Sequence, residues 1–98
     1  MDNNNSFRII GRYIHKYKDT ENHYIILISM AFSKNKEKSN FIEVDIFDKD
    51  LIAVIDNLNQ NDLVGIVGHM ESEVCTLNDN FKFMNKLLVA EKIITKGN

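Results

Sequence analysis

From Asn40 to His69 the chain runs through three segments that together restrict the fold more than any other part: N-F-I-E-V-D-I-F, D-K-D-L-I-A-V-I-D-N-L-N-Q and N-D-L-V-G-I-V-G-H. The first alternates cleanly. Side chains on a strand point to opposite faces in turn, so Ile42, Val44 and Ile46 share one side and Phe41, Glu43, Asp45 and Phe47 the other. The first set predicts a core face. The second puts two aromatic rings and two acids toward solvent, and a large exposed ring is the informative observation.

The second segment predicts a helix over Asp48 to Asn59. Leu51, Ile55 and Leu58 fall at helical spacing, and Ile52 and Val54 widen the stripe. Asp48 or Asp50 can cap its N-terminus, accepting from free backbone N–H groups at the positive end of the helix dipole. Asn59-Gln60-Asn61-Asp62 supplies turn formers that stop it. Leu63 to Gly68 resumes a strand, and Gly65 and Gly68 predict a bend or bulge. A strand, a one-sided helix and a glycine-bearing strand suit a small closed barrel plugged at one end by the helix.

At 98 residues, 44% apolar and 27% charged, the chain suits one soluble domain with a single core over residues 1–98. Its apolar runs are too short for a membrane span, and Met1 to Asn5 lacks the basic and apolar regions of a signal peptide. Cys75 is the only cysteine, which excludes an internal disulfide and makes a reducing cytoplasm the default compartment. A net charge of -2 gives no global argument for nucleic acid. The distribution says more: cations gather toward both ends, and between Phe41 and Asn80 Lys49 stands alone against nine acids. If the ends share a sheet, folding collects a basic surface that net charge hides.

In chain order, residues 1–5 read as a polar tail continuing to Ser6. Phe7 to His15 forms a first strand interrupted by Gly11, and Lys16 to Asn22 a loop. His23 to Ser33 is apolar on both sides, as a strand between neighbours should be. Lys34 to Asn40 is a polar hairpin loop. After Gly68 the fourth strand decays through Glu71, Ser72 and Glu73, Leu77 to Asn80 makes an exposed turn, and Phe81 to Ile94 closes the sheet. Five strands with one helix between the third and fourth is the order of an all-β fold, the five-stranded Greek-key OB barrel.

Four pieces of sequence, in order, carry a resemblance to the bacterial single-stranded DNA-binding protein family. Ile10-Gly11-Arg12 resembles its early strand-one glycine. Phe41 to Val44 with Phe47-Asp48-Lys49 resembles its aromatic-x-x-V stretch and its aromatic entry to the helix. Asn61 to Val64 with Val67 to Met70 is similar to its strand-four signature, and Val89-Ala90-Glu91-Lys92-Ile93 to its closing strand. The resemblance implies sequence-independent binding of single-stranded DNA in replication, recombination or repair, with bases stacked on rings and cations along the phosphates. By position it implies a stacking role for Phe47 and Phe41. Phe32 fits the core as well as a third ring, and Tyr13, Tyr24, Phe81 and Phe83 fit packing or a subunit contact as well as binding. Arg12, Lys34, Lys36, Lys38 and Lys49 are the cations placed to hold phosphates. The family also implies a homodimer or homotetramer built through strand one, whose Phe7, Ile9 and Ile10 make an apolar edge.

Several features depart from that pattern. Glu43 and Asp45 lie between the two ring candidates, where they would repel phosphate, so replacing both by their amides is expected to tighten binding without loss of stability. Glu71 and Glu73 stand where the family places cations, and Val74-Cys75 lacks its next ring. The chain ends after strand five without an acidic tail. His15, His23 and His69 are too dispersed for a zinc pattern, surface roles account for His23 and His69, and no nucleophile motif is present. The expectation is a non-enzymatic binder without cofactor or metal. A second possibility is an OB-fold interaction or assembly module with weak nucleic-acid binding, distinguished by whether the ring-bearing face is basic or acidic.

Overall fold

A computed structural model describes residues 5–30 and 40–96. Phe32, Lys34, Lys36 and Lys38, the polar loop around them, the end of the second strand and most of the N-terminal tail lie outside the described residues. The elements are β1 (Ser6–Thr20), β2 (His23–Ser29), β3 (Phe41–Ile46), α1 (Lys49–Ile55), β4 (Leu63–Asn78) and β5 (Phe81–Thr95). The strands close into a barrel in the order β1-β2-β3-β5-β4. Every pairing is antiparallel except the short parallel contact of β3 with β5 at Asp45 and Val89. This is the OB barrel expected, with its helix between the third and fourth strands.

Inward side chains of all five strands meet in one core. Ile26, Ile28, Val44 and Ile46 are fully buried, with Val64 and Ile66 of β4 and Ala90 of β5 beside them. Leu51 and Ile55 of α1 complete that cluster, so the helix exists chiefly to bury one apolar edge. It is shorter than the periodicity suggests. Asp48 caps it by accepting from the Asp50 N–H at 2.8 Å. It ends at Ile55, because Asn57 and Leu58 donate three residues back and tighten the last turn. Leu58 still packs on the core from that turn. Asn61 then takes a left-handed backbone (φ 75°), which asparagine tolerates better than most residues. Lys16 bonds the Asp56 carboxylate at 2.5 Å, tying β1 to the end of α1.

Three expectations are corrected here. Asn5 and Ser6 are not tail: the Asn5 side chain accepts from the Met70 N–H at 3.1 Å, and Ser6 opens β1. Lys16 to Thr20 is not loop but the second half of β1, laddered to β2 down to the Thr20–His23 pair. Nor does β4 decay after Gly68. It runs to Asn78 and forms a long hairpin with β5, turning at Asp79 and Asn80. In all three places cross-strand hydrogen bonds, invisible to local pattern, override polar composition.

The bulge expected near the β4 glycines falls at Val67/Gly68 in the β4–β5 ladder. Gly68 is there because a Cβ would lie 2.0 Å from the Val89 carbonyl oxygen and 2.8 Å from the Phe7 ring. Gly68→Ala is therefore expected to lower stability by about 1–3 kcal/mol, the usual cost of overpacking, read as a lower denaturant midpoint at unchanged m-value.

Candidate nucleic-acid interface

The register of three adjacent strands builds the site. On the outward face of β1, β2 and β3, side chains stand in rows: Arg12, Ser29 and Phe41; His15, Leu27 and Glu43; Tyr17, Ile25 and Asp45. Neighbouring strands lie about 4.8 Å apart, so each row is a continuous strip of surface. Phe41, Tyr17 and Phe47 are 54%, 46% and 44% exposed. A barrel that folds in isolation has no use for three open rings on one face. His15 meets Tyr17 edge to face, with ring centroids 4.8 Å apart. Phe47, just after β3, lies flat against His23, with centroids 4.3 Å apart and planes 10° from parallel.

Asp45 is the residue the structure reads differently. It lies on the ring-bearing side as alternation predicts, yet it is only 6% exposed. His23 covers it, with Nε2 2.8 Å from an Asp45 carboxylate oxygen, while Nδ1 lies 2.9 Å from Asp19. The expectation that Asp45 faces passing phosphates, and that its amide would leave stability intact, is overturned: its charge is buried and paired. Glu43 does remain exposed. His23 is likewise no simple surface residue, its side chain being 18% exposed. Burial works against the charged imidazolium and is the largest single influence. Hydrogen bonds to Asp45 and Asp19, with the field of both carboxylates, together outweigh it and hold the pKa above the ordinary histidine value.

Of the residues predicted from sequence, Phe41 and Phe47 both stand on this face. Arg12 lies in the row of Phe41, two strands away, although its guanidinium donates to the Asn61 carbonyl at 3.0 Å. Lys49 is exposed at the first position of α1, two residues beyond Phe47. Tyr13 is core and the half-buried Tyr24 packs against it. Four further residues border this face: Tyr17, whose surroundings read as loop by composition, His15 and His23, which only strand register places, and Lys86, which only strand pairing brings near. Lys86 and Asn85 of β5 face Phe41 and Glu43 across a cleft of about 470 Å³.

The β4–β5 hairpin has two unlike faces. One carries Val74 and Met84, paired across the strands, with Lys82 and Lys86 on either side of Met84. The other carries Cys75 opposite Phe83, with Glu71, Glu73 and Leu77. Val74, Leu77, Phe81, Phe83 and Met84 are all exposed. Both glutamates have partners: Glu73 accepts from the Asn85 amide at 3.1 Å, and Glu71 lies 2.6 Å from His69 Nε2. His69 Nδ1 contacts Glu91. Its pKa is raised, first by the hydrogen bond to Glu71 and then by that to Glu91.

The His23–Asp45 pair has a measurable signature. A histidine whose folded pKa is raised adds stability that is fully present below its unfolded value, about 6.5, and is lost as pH rises through the folded value. Asp45→Asn should lower the His23 pKa, followed by NMR titration of its ring protons. It should also cost most stability on the acid side, so that thermal midpoints of variant and wild type converge as pH rises.

The fold is shared with solved structures of single-stranded DNA-binding proteins, the family its sequence motifs resemble. The mitochondrial single-stranded DNA-binding protein of S. cerevisiae is similar at a TM-score of 0.72 and 16% identity, over 96% of each chain. That of Plasmodium falciparum, in complex with single-stranded DNA, is similar at 0.72 and 13% identity, over 99% of this chain and 98% of its own. The small single-stranded DNA-binding protein of Streptomyces coelicolor gives 0.62 and 14%, over 95% of each. No family model and no curated protein matches the sequence. At these identities the likeness is one of shape: an OB barrel of the same plan over almost the whole length.

Proposed function

We propose that this protein binds single-stranded DNA without sequence preference, through the outward face of β1, β2 and β3. One observation carries the reading: Phe41, Phe47 and Tyr17 stand exposed on one curved sheet, with His15 and His23 beside them. Rings on a sheet offer faces to successive bases whatever their identity. Arg12, Lys49 and Lys86 border that face and supply phosphate contacts, to which Lys34, Lys36 and Lys38 add further cations and Phe32 a further ring for stacking. The role is non-enzymatic and belongs to replication, recombination or repair. Support comes from the shared fold, including that of the Plasmodium protein with its bound single strand. Among the described residues no helix is long and apolar enough to cross a membrane. A cytoplasmic location suits a chain with a single cysteine, while the yeast neighbour is mitochondrial.

Assembly is part of this reading. Phe7 to Ile10 of β1 pairs with β4 on one edge, while the β2 ladder begins only at Arg12. The other edge of that segment meets no strand among the described residues, and an open edge invites a second chain. Ile10 and Ile94, both more than half exposed, add apolar surface beside it. A homodimer through β1, or a homotetramer, follows. Light scattering should give a multiple of the chain mass, and Ile10→Glu should shift it toward monomer. A strict wild-type monomer at working concentrations would count against the proposal.

A second reading, an interaction module with weak nucleic-acid binding, has the two-faced hairpin in its favour, because exposed apolar side chains flanked by charge of one sign suit a protein contact.

Labelled oligo-dT decides between them. Its affinity should fall as salt rises, because phosphate neutralisation releases counterions. Phe41→Ala, Phe47→Ala and Tyr17→Ala should each weaken binding by about 1–3 kcal/mol, the scale of one lost base stack. Absence of binding at low salt by a folded sample would leave the interaction module as the better account.

A further inference from the structure

His23 is the one ring on the proposed interface that is held from three sides. Asp45 of β3 meets its Nε2 and Asp19 of β1 its Nδ1, at 2.8 and 2.9 Å. Phe47 lies parallel to it at 4.3 Å. Lys18, near the end of β1, and Glu21, in the turn to β2, form their own pair at 3.0 Å. With both nitrogens facing carboxylates, the imidazole is set to donate from both, which requires the protonated form. Its plane cannot rotate without breaking one contact. The geometry thus favours the charged form and holds the orientation of a ring that is itself only 18% exposed.

We propose that His23 is a working member of the binding platform: as an imidazolium it backs Phe47 against a stacked base and cancels the Asp45 carboxylate beside the strand's phosphates. This rests on reading the β1-β2-β3 face as a single-strand platform, and adds a residue that neither motif nor exposure singles out. Because His23 occupies one face of Phe47, the base stacks on the opposite face, giving a three-layer stack of imidazolium, phenyl and base. A cation flat against a phenyl ring is attracted by the ring's electron-rich face and keeps Phe47 in the orientation a base needs. The same charge answers the oddity of an acid at the centre of a nucleic-acid surface. Asp45 with His23 is a neutral pair, which leaves Asp19 and Glu43 as the acids on the solvent side of this region. When the imidazolium loses its proton, the face gains one net negative charge and Phe47 loses its cationic backing. Both changes weaken binding.

The test is oligo-dT affinity measured at constant ionic strength across the range in which histidine titrates. Wild-type affinity should fall about fivefold as pH rises through the His23 pKa, the factor that one unit charge a few ångströms from a phosphate carries in water. His23→Gln, whose amide can still donate to Asp45, should bind more weakly on the acid side and show no such step. His15→Gln and His69→Gln should both keep it. Without any variant, saturating wild type with oligo-dT should raise the His23 pKa in an NMR titration, since a ligand that prefers the protonated form must stabilise it. Binding that is flat with pH, a step that survives His23→Gln, or an unmoved His23 pKa overturns the role of His23 and leaves the platform reading standing. Absence of wild-type binding at every pH overturns both.

Discussion

The structure depends on the parity of side chains across three paired strands. Once Ile26 of β2 and Val44 of β3 stand opposite each other and face inward, every second residue on either side is committed. The inward set makes the core, and the outward set becomes the surface of Phe41, Tyr17 and their neighbours. A slip of one residue would exchange the two, burying Glu43 and exposing Val44. The proposed binding face is therefore the other half of the decision that creates the hydrophobic core. This explains how a face with so much apolar area persists: its backbone is held by the burial behind it, not by its own side chains.

Charge follows the same logic. The sequence offers this region many acids and few cations, and a count alone argues against a polyanionic ligand. Pairing changes the account. Asp45 is buried under His23, Asp56 holds Lys16, and Glu71 and Glu91 hold His69 between them. What a strand of nucleic acid would meet is the remainder after these pairs. Among the described residues that remainder includes Arg12, Lys49 and Lys86 along with Glu43. Partial neutralisation inside a fold matters more to a local surface than net charge does.

Much of this was legible in the sequence, for identifiable reasons. The alternation of β3 and the capped stripe after Asp48 are local signals, and they predicted strand, helix and the facing of Phe41 and Phe47. The bulge at Gly68 was legible because glycine in a strand has few other uses. The outer half of β1 and the far end of β4 were not. Lys16-Tyr17-Lys18-Asp19 and Glu71-Ser72-Glu73 look like loop by composition, and only the ladder to the partner strand makes them extended. The strand character of the β1 segment is what brings Tyr17 to the outward face and Asp19 beside His23. Contacts between residues far apart in sequence, such as His23 with Asp45, carry no local signature at all.

The double allegiance of β1 has a consequence for how the molecule is made. Its second half ladders to β2, its nearest neighbour in sequence, whereas its first half waits for β4, with Ser6 reaching its partner His69 only across most of the chain. As the protein leaves the ribosome, β1 emerges well before β4, so its first half is among the last segments to be paired. Until β4 arrives, Phe7, Ile9 and Ile10 sit on a strand with both edges open, the arrangement in which nascent chains most readily join one another. Closing the ring covers one of those edges, while the other, which meets no strand among the described residues, stays open to a second copy of the chain.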